Sequence, residues 1–378
     1  MQNLWHQCWM VLAVLVLQSA QAQTVNQTSW QMGLVLDTTA SSRQLSMAQR
    51  DRGLALGHSD LSLRGPLSEY FHAEIIGAFH TDDQKLGTHW ENAWIQTTRL
   101  PAGWQLRAGR FASQLGYWNE IHPHADDFVE RGLIERAFLG GHWVDDGVRL
   151  NWTAPTDLYV RLGLEAFSGR QLTPEATSGH GAYVANLKIG DDWGVEHSWQ
   201  WGLSRVNNRR EAHAPESGAE DGHSDGPLFH GRGLWMSDFV WKWAPGGNPQ
   251  HRQVRLVWEW ARLDRALPSE GLFQGHAGHN LGLVWRFDRD WETGVRLDRL
   301  SVNAPDASSG SVMAVPARWR ETAWMLAYKP TDQQTVRLQW SHQTASASAW
   351  SLPLKGKPGH SVMVQYVLSF GAHGAHSF

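Results

Sequence analysis

Cysteine is almost missing from this chain. The only one among 378 residues is Cys8. It lies in an N-terminal stretch that reads as a removable leader, so the remainder carries no thiol. That suits an oxidising envelope compartment, where a stray thiol is a liability. The apolar stretch does not end at Cys8, which argues against a lipoprotein. Long hydrophobic runs are missing too. No segment reaches the roughly eighteen apolar residues of a membrane-spanning helix. There is no excess of basic residues, because the formal net charge is −4, and nucleic acid is not implied as a partner. No H-E-x-x-H zinc-protease motif occurs, and the chain is read as a non-enzyme.

The leader is residues 1–22. Val11 to Leu17 is a short apolar core, and Ser19-Ala20-Gln21-Ala22 is an A-x-A cleavage pattern. Cleavage is expected after Ala22. Residues 23–378 then form one unit, too long for a simple sandwich and suited to one large barrel.

What is abundant is tryptophan, 23 in all, set in runs that alternate apolar and polar. Period-two alternation means extended strands with two unlike faces. Strands are predicted near 31–37, 53–64, 69–80, 89–99, 103–111, 146–153, 157–167, 181–190, 193–205, 233–243, 251–263, 279–288, 291–300, 319–329, 334–343 and 360–370. Seven connectors are short Pro, Gly and Asp turns: 65–68, 100–102, 154–156, 191–192, 244–250, 289–290 and 330–332. The others, including 38–52 and 81–88, are longer, and the longest are 112–145 and 206–232. Alternation of long and short connectors predicts an all-β fold: an antiparallel transmembrane β-barrel of about sixteen strands, within a range of about 14–18, of the outer-membrane type.

The faces agree. Val254, Leu256, Trp258 and Trp260 share one side of their strand, and Arg255, Glu259 and Ala261 share the other. The apolar side would meet lipid, where a charge costs roughly 2–4 kcal/mol at the midplane. Trp104, Trp193, Trp243 and Trp291, at strand ends, fit an interfacial girdle. Val362, Val364, Tyr366, Leu368 and Phe370 keep one parity up to the terminal Phe378. That ending resembles the signal read by the barrel assembly machinery.

By parity Arg107, Arg149, Arg161, Arg255, Arg286, Arg296 and Arg337 point into the lumen, with Glu74, Glu165, Glu196, Glu259 and Asp298. Such a wall holds water, and sixteen strands enclose an aqueous channel. Segment 112–145 carries Leu115, Tyr117, Trp118, Ile121 and Phe128, which an exposed tip does not need. It is expected to fold inward as a constriction, with Asp126, Asp127 and Glu130 facing the Arg-lined wall and selecting by size and charge. Within it His122, His124 and Asp126 are spaced by two and would project to one side of an extended segment. Imidazole and carboxylate are good Zn²⁺ ligands. His213, His223 and His230 in 206–232 could gather cations loosely.

Residues 119–152, NEIHPHADDFVERGLIERAFLGGHWVDDGVRLNW, resemble a family of Gram-negative proteins labelled zinc-regulated outer-membrane receptors. The ending GAHGAHSF, 371–378, is similar to that family's ending. The resemblance implies a barrel linked to zinc supply. TonB-dependent receptors carry a plug before the barrel; here the first strand follows the cleavage site within about ten residues, as in a plug-less porin. The function expected is an outer-membrane channel for small hydrophilic solutes, with zinc or a zinc complex among them. An outer-membrane hydrolase or a surface adhesion barrel is the alternative. The expected surroundings are outer-membrane lipid and small solutes or metal ions. No cofactor is required, Zn²⁺ is the one ion the pattern could hold, and the number of subunits is left open.

Overall fold

The structure is a computed structural model that describes residues 29–371, apart from 83–84, 174–175, 179–180, 213–226, 268–274, 306–313, 351 and 353. The leader, Phe378, His213, His223, His373 and His376 lie outside the described residues.

Among the described residues sixteen long strands close into one antiparallel barrel. They are β1 (Gln31–Ser41), β2 (Gly53–Leu56 and Ser59–Pro66, interrupted at Gly57 and His58), β3 (Phe71–Asp82), β4 (Lys85–Thr97), β5 (Trp104–Ala112), β6 (Val144–Thr153), β7 (Tyr159–Phe167) and β8 (Ala182–Trp193). Then follow β9 (His197–Asn208), β10 (His230–Trp243), β11 (Gln253–Leu267), β12 (His276–Asp288), β13 (Trp291–Pro305), β14 (Ala314–Thr331), β15 (Gln334–Ala345) and β16 (Gly359–Gly371). β1 pairs with β2 on one side and β16 on the other, and this seam closes the ring. A closed ring leaves no unpaired edge.

Alternation decides which side chain goes where. On β7, Leu164 is 61% exposed on the outer wall and the next residue, Glu165, is 3% exposed inside. Trp324 of β14 faces Trp340 of β15 in register, both on the outer wall. Aromatics gather at the short-turn end: Trp104 against Trp152, Trp193 against Trp199, and Trp291 against Tyr328.

Two expected connectors differ. Residues 81–88 are mostly strand, because β3 runs to Asp82 and β4 starts at Lys85. Asp191 and Asp192 lie within β8, and the turn is Gly194 to Glu196, with Gly194 at φ 69 supplying the left-handed residue. Glu196 therefore does not line the lumen. It accepts from Gly246 N (2.8 Å) and Trp243 Nε1 (3.3 Å) at the neighbouring turn.

Residues 113–143 lie inside the barrel. They contain one short helix, α1 (Leu133–Leu139), whose side chains are all buried, and Gly140 at φ 66 ends it. Leu115, Leu133, Ile134, Phe138 and Leu139 share an apolar cluster with Phe111, Phe167, Leu263 and Trp319 of the wall. Much of the core is thus lumenal, where a wide barrel would otherwise hold water.

Candidate functional site

Strand register lays a row of polar side chains around the inner wall: Asp238, Glu259, Asn280, Asp298, Glu321 and Gln343 are successive cross-strand partners from β10 to β15. The internal segment is tied to this row. Glu259 accepts from Tyr117 N (2.5 Å) and Trp118 N (3.3 Å). Gly116, at φ 68, makes that approach possible, since a Cβ there would lie 2.7 Å from Glu259 Oε1. Asp298 accepts from Leu133 N (3.2 Å), and Glu321 binds Arg136 (2.8 Å).

The sequence-predicted arginines hold the same segment, but less as a free water-lined wall than as closed pairs. Arg161 meets Glu120 at 3.1 Å and Arg255 meets Asp127. Arg149 binds Glu165 (2.5 Å) and the carbonyl of Ala112, and Glu165 also accepts from Ser113 Oγ (2.5 Å). Arg296 binds Asp298 (2.8 Å), Glu321 (3.2 Å) and the carbonyl of Glu130. Arg337 donates to Gln365 (2.6 Å), Arg107 to Gln96 (2.8 Å), and Arg286 to Glu292 (2.5 Å) towards the short-turn end. Among the described residues the Glu130 carboxylate meets no arginine side chain as a hydrogen-bond donor. It accepts from Gln49 N (3.0 Å) and Arg50 N (2.9 Å) of the first long connector. The pattern of an acidic segment on a basic wall covers Glu120 and Asp127; around Arg136 the signs are reversed. Burial opposes charge on Glu120, but Arg161, Lys188 and Arg149 override it and pull its carboxyl down to about 2.

His122 and His124 come together, their rings 5.6 Å apart, but Asp126 does not join them. Pro123 turns the chain into a 3₁₀ turn over Pro123–Ala125, so the extended spacing by two is lost, and Asp126 closes on Arg131 at 2.7 and 3.0 Å. The histidines meet other partners, none of which spacing reveals. His122 Nδ1 is 3.1 Å from Glu91 Oε2 and 3.7 Å from Asp60 Oδ2. His58 Nε2 is 2.8 Å from Glu91 Oε2, His142 Nδ1 is 2.8 Å from Glu91 Oε1, and His124 Nδ1 is 3.3 Å from Asp60 Oδ2.

Local irregularity places these groups. Ile76 pairs with Asn92 and Gly77 with Trp90, so Glu91 is the extra residue of a β-bulge in β4. A bulge re-aims a side chain, and Glu91 and Asn92 both point inward. His58 occupies the break in β2. Burial opposes charge on His122, but Glu91 and Asp60 outweigh it and push its pKa up to about 9. At His142 burial outweighs Glu91, and its pKa falls to about 4.

Two cavities flank the internal segment. The upper cavity, about 390 Å³ and at the long-connector end, is lined by His58, His80, His89 and His142 and by long-connector residues Gln44, Ala48 and Leu354. The other, about 400 Å³, lies at the short-turn end between Glu120, Arg161, Lys188, Asp191 and Trp199.

No family model matches the chain. A protein of Aquifex aeolicus (strain VF5), described as uncharacterized, is 27% identical over 350 residues, covering 86% of this chain and 70% of that one. Among solved structures, the high-pH form of Pseudomonas putida OprB has a TM-score of 0.59 at 12% identity, covering 90% of this chain and 94% of that one. A loop L8 deletion mutant of OmpT, an outer membrane protein of Vibrio cholerae, scores 0.59 at 9% identity over 91% and 100% of the two chains. An anion-selective porin from Comamonas acidovorans scores 0.57 at 11% identity over 91% and 99%. The chain is similar to these in fold.

Proposed function

We propose that this chain is a porin-like outer-membrane channel for small hydrophilic solutes, narrowed by residues 113–143. The observation that carries the reading is the pairing of an apolar outer belt with a charged lumen in one closed barrel. Leu162, Leu164, Trp340 and Val364 face outward while Arg161, Glu165, Gln339 and Gln365 face inward. Lipid takes the first set, and the second is held inside by polar partners on the wall and on the internal segment. The Glu120–Arg161 and Asp127–Arg255 pairs hold the segment on the wall and set opposed charges beside the path. A leader cleaved after Ala22, and insertion by the barrel assembly machinery through the terminal Phe378, complete the proposed route to the outer membrane. Zinc or a zinc complex is the finer choice of solute, supported by the histidines of the upper cavity and by the resemblance of 119–152 to zinc-regulated receptors.

Gly222-His223-Ser224-Asp225-Gly226 spells G-x-S-x-G. It lies outside the described residues, in the connector between β9 and β10, and the motif without a described strand-to-helix turn carries no argument for a hydrolase. The test is swelling of liposomes that carry the purified protein. Sugars and small ions are expected to enter. A folded barrel that admits neither overturns the channel and leaves adhesion or hydrolysis.

A further inference from the structure

We propose that His58, Asp60, Glu91 and His122 bind a first-row divalent transition-metal ion, of which Zn²⁺ is the type, at the floor of the upper cavity. One ligand atom from each of the four lies within 4.8 Å of the others. Four ligands about 2.0–2.1 Å from a tetrahedral zinc are roughly 3.4 Å apart. The separations measured within the set, 2.8 Å for His58–Glu91, 3.1 Å for His122–Glu91 and 3.7 Å for His122–Asp60, bracket that value. Small rotations would bring all four to one centre.

Charge supports the assignment. Glu91 is 0% exposed and Asp60 1%. Several buried carboxylates elsewhere in the lumen meet a fixed cation: Glu120 has Arg161, Asp126 has Arg131, Asp127 has Arg255 and Glu321 has Arg136; Glu130, Glu135 and Glu259 meet amide donors instead. Among the described residues no lysine or arginine pairs with Asp60 or Glu91; both face imidazoles only. Asp60 Oδ2 and Glu91 Oε1 are buried and accept no aligned hydrogen bond among the described residues. Asp60 Oδ2 faces His122 and His124, and Glu91 Oε1 faces His142; two buried carboxylates this close are costly without a cation beside them.

His142 gives a second, independent sign. Its Nε2 lies 2.9 Å from the carbonyl oxygen of Asn119, which can only accept, so Nε2 carries the proton. Its Nδ1 is thereby aimed at Glu91 Oε1, 2.8 Å away, where it stands ready to turn to a cation held by Glu91. An imidazole fixed by a backbone carbonyl through its other nitrogen is also the usual arrangement around a bound metal. His142 is therefore a reserve ligand, and His124 sits behind Asp60.

The donor set chooses the metal class. Imidazole with carboxylate suits zinc, nickel, copper and iron, whereas magnesium and calcium prefer oxygen alone. His80 and His89, rings 5.6 Å apart, line the cavity above the site and offer an approach. The channel reading supplies the route by which the ion arrives, but binding does not require conduction.

The test is zinc titration of the purified, folded full chain in detergent, by calorimetry with metal analysis, and Co²⁺ absorption as the reporter of geometry. One ion per chain is expected, with cobalt bands of a low-coordinate nitrogen–oxygen site. His122→Ala and Glu91→Gln should each weaken binding by at least about tenfold, with folding checked by heat-modifiable gel mobility. Glu91→Gln keeps the side chain's shape, so it serves if the alanine variant misassembles. His213→Ala/His223→Ala should bind like the parent. Absence of saturable binding, or binding that follows the 206–232 histidines instead, overturns the site. A barrel that conducts without binding zinc overturns this site and leaves the channel; one that binds zinc without conducting does the reverse.

Discussion

Glu91 Oε2, carried on a bulge of β4, lies 3.1 Å from Nδ1 of His122 on the internal segment. The bulge turns both Glu91 and its neighbour Asn92 towards the lumen. Deleting Glu91 would leave Trp90 and Asn92 opposite Gly77 and Ile76 in an ordinary ladder. The barrel is therefore expected to assemble, with normal heat-modifiable mobility, and to lose zinc binding. Failure to assemble would show instead that the bulge is needed to close the ring.

Arg136 and Glu321 form an ion pair at 2.8 Å with both side chains 1% exposed. Glu321 also accepts from Gln343 (2.8 Å) and Arg296 (3.2 Å). Removing one partner of such a pair costs about 3–5 kcal/mol, because the other charge stays buried. Glu321→Gln should lower the urea midpoint accordingly, whereas Arg136→Met/Glu321→Met should cost less. Equal losses in both would mean that the pair is not what holds α1.

Burial, with Glu259 beside it, raises the Glu135 carboxyl well above its ordinary 4.5. Asn280 Nδ2 donates to both of its oxygens at 3.1 Å. The folded chain keeps a proton that the unfolded chain releases near pH 4.5. Stability then falls as pH rises from that value towards the folded pKa. Glu135→Gln is expected to flatten this slope and to raise stability at neutral pH. Urea midpoints at about pH 5 and about pH 8 compare the two proteins; an unchanged slope would place the pH dependence elsewhere.

Topology has its own test. Ala347 and Arg52 are exposed in long connectors, Val195 and Arg289 in short ones, and Ile134 is buried in α1. Cysteines at Ala347 and Arg52 should react on intact cells, and those at Val195 and Arg289 only after permeabilisation. A cysteine at Ile134 should stay silent in both. Reaction at Val195 on intact cells inverts the barrel.

The barrel was legible because alternation is a local signal. Trp258 and Glu259 differ by one position, and the wall separates them. The turns with Pro or Gly were legible for the same reason. The hairpin between β3 and β4 was read with too long a connector, because Thr81 and Lys85 are polar and extend the strands without an apolar signal. The proposed metal site was half visible. His122 and His124 share a distinctive spacing, but Asp126 turns away after Pro123 and is taken by Arg131. Glu91 and His58 occupy a bulge and a strand break, where the parity rule fails. Asp60 and Glu91 are 31 positions apart and reach His122 only through the barrel's closure and the fold of the internal segment.

Current through single barrels in a planar bilayer tests the channel most directly. The parent is expected to give small, uniform conductance steps. Arg161→Ala/Arg255→Ala, which removes the wall partner of Asp127 and leaves Glu120 only Lys188 at 3.7 Å, is expected to give larger or flickering ones. Barrels that insert in folded form yet pass no current, in the parent and in this variant alike, would contradict the channel.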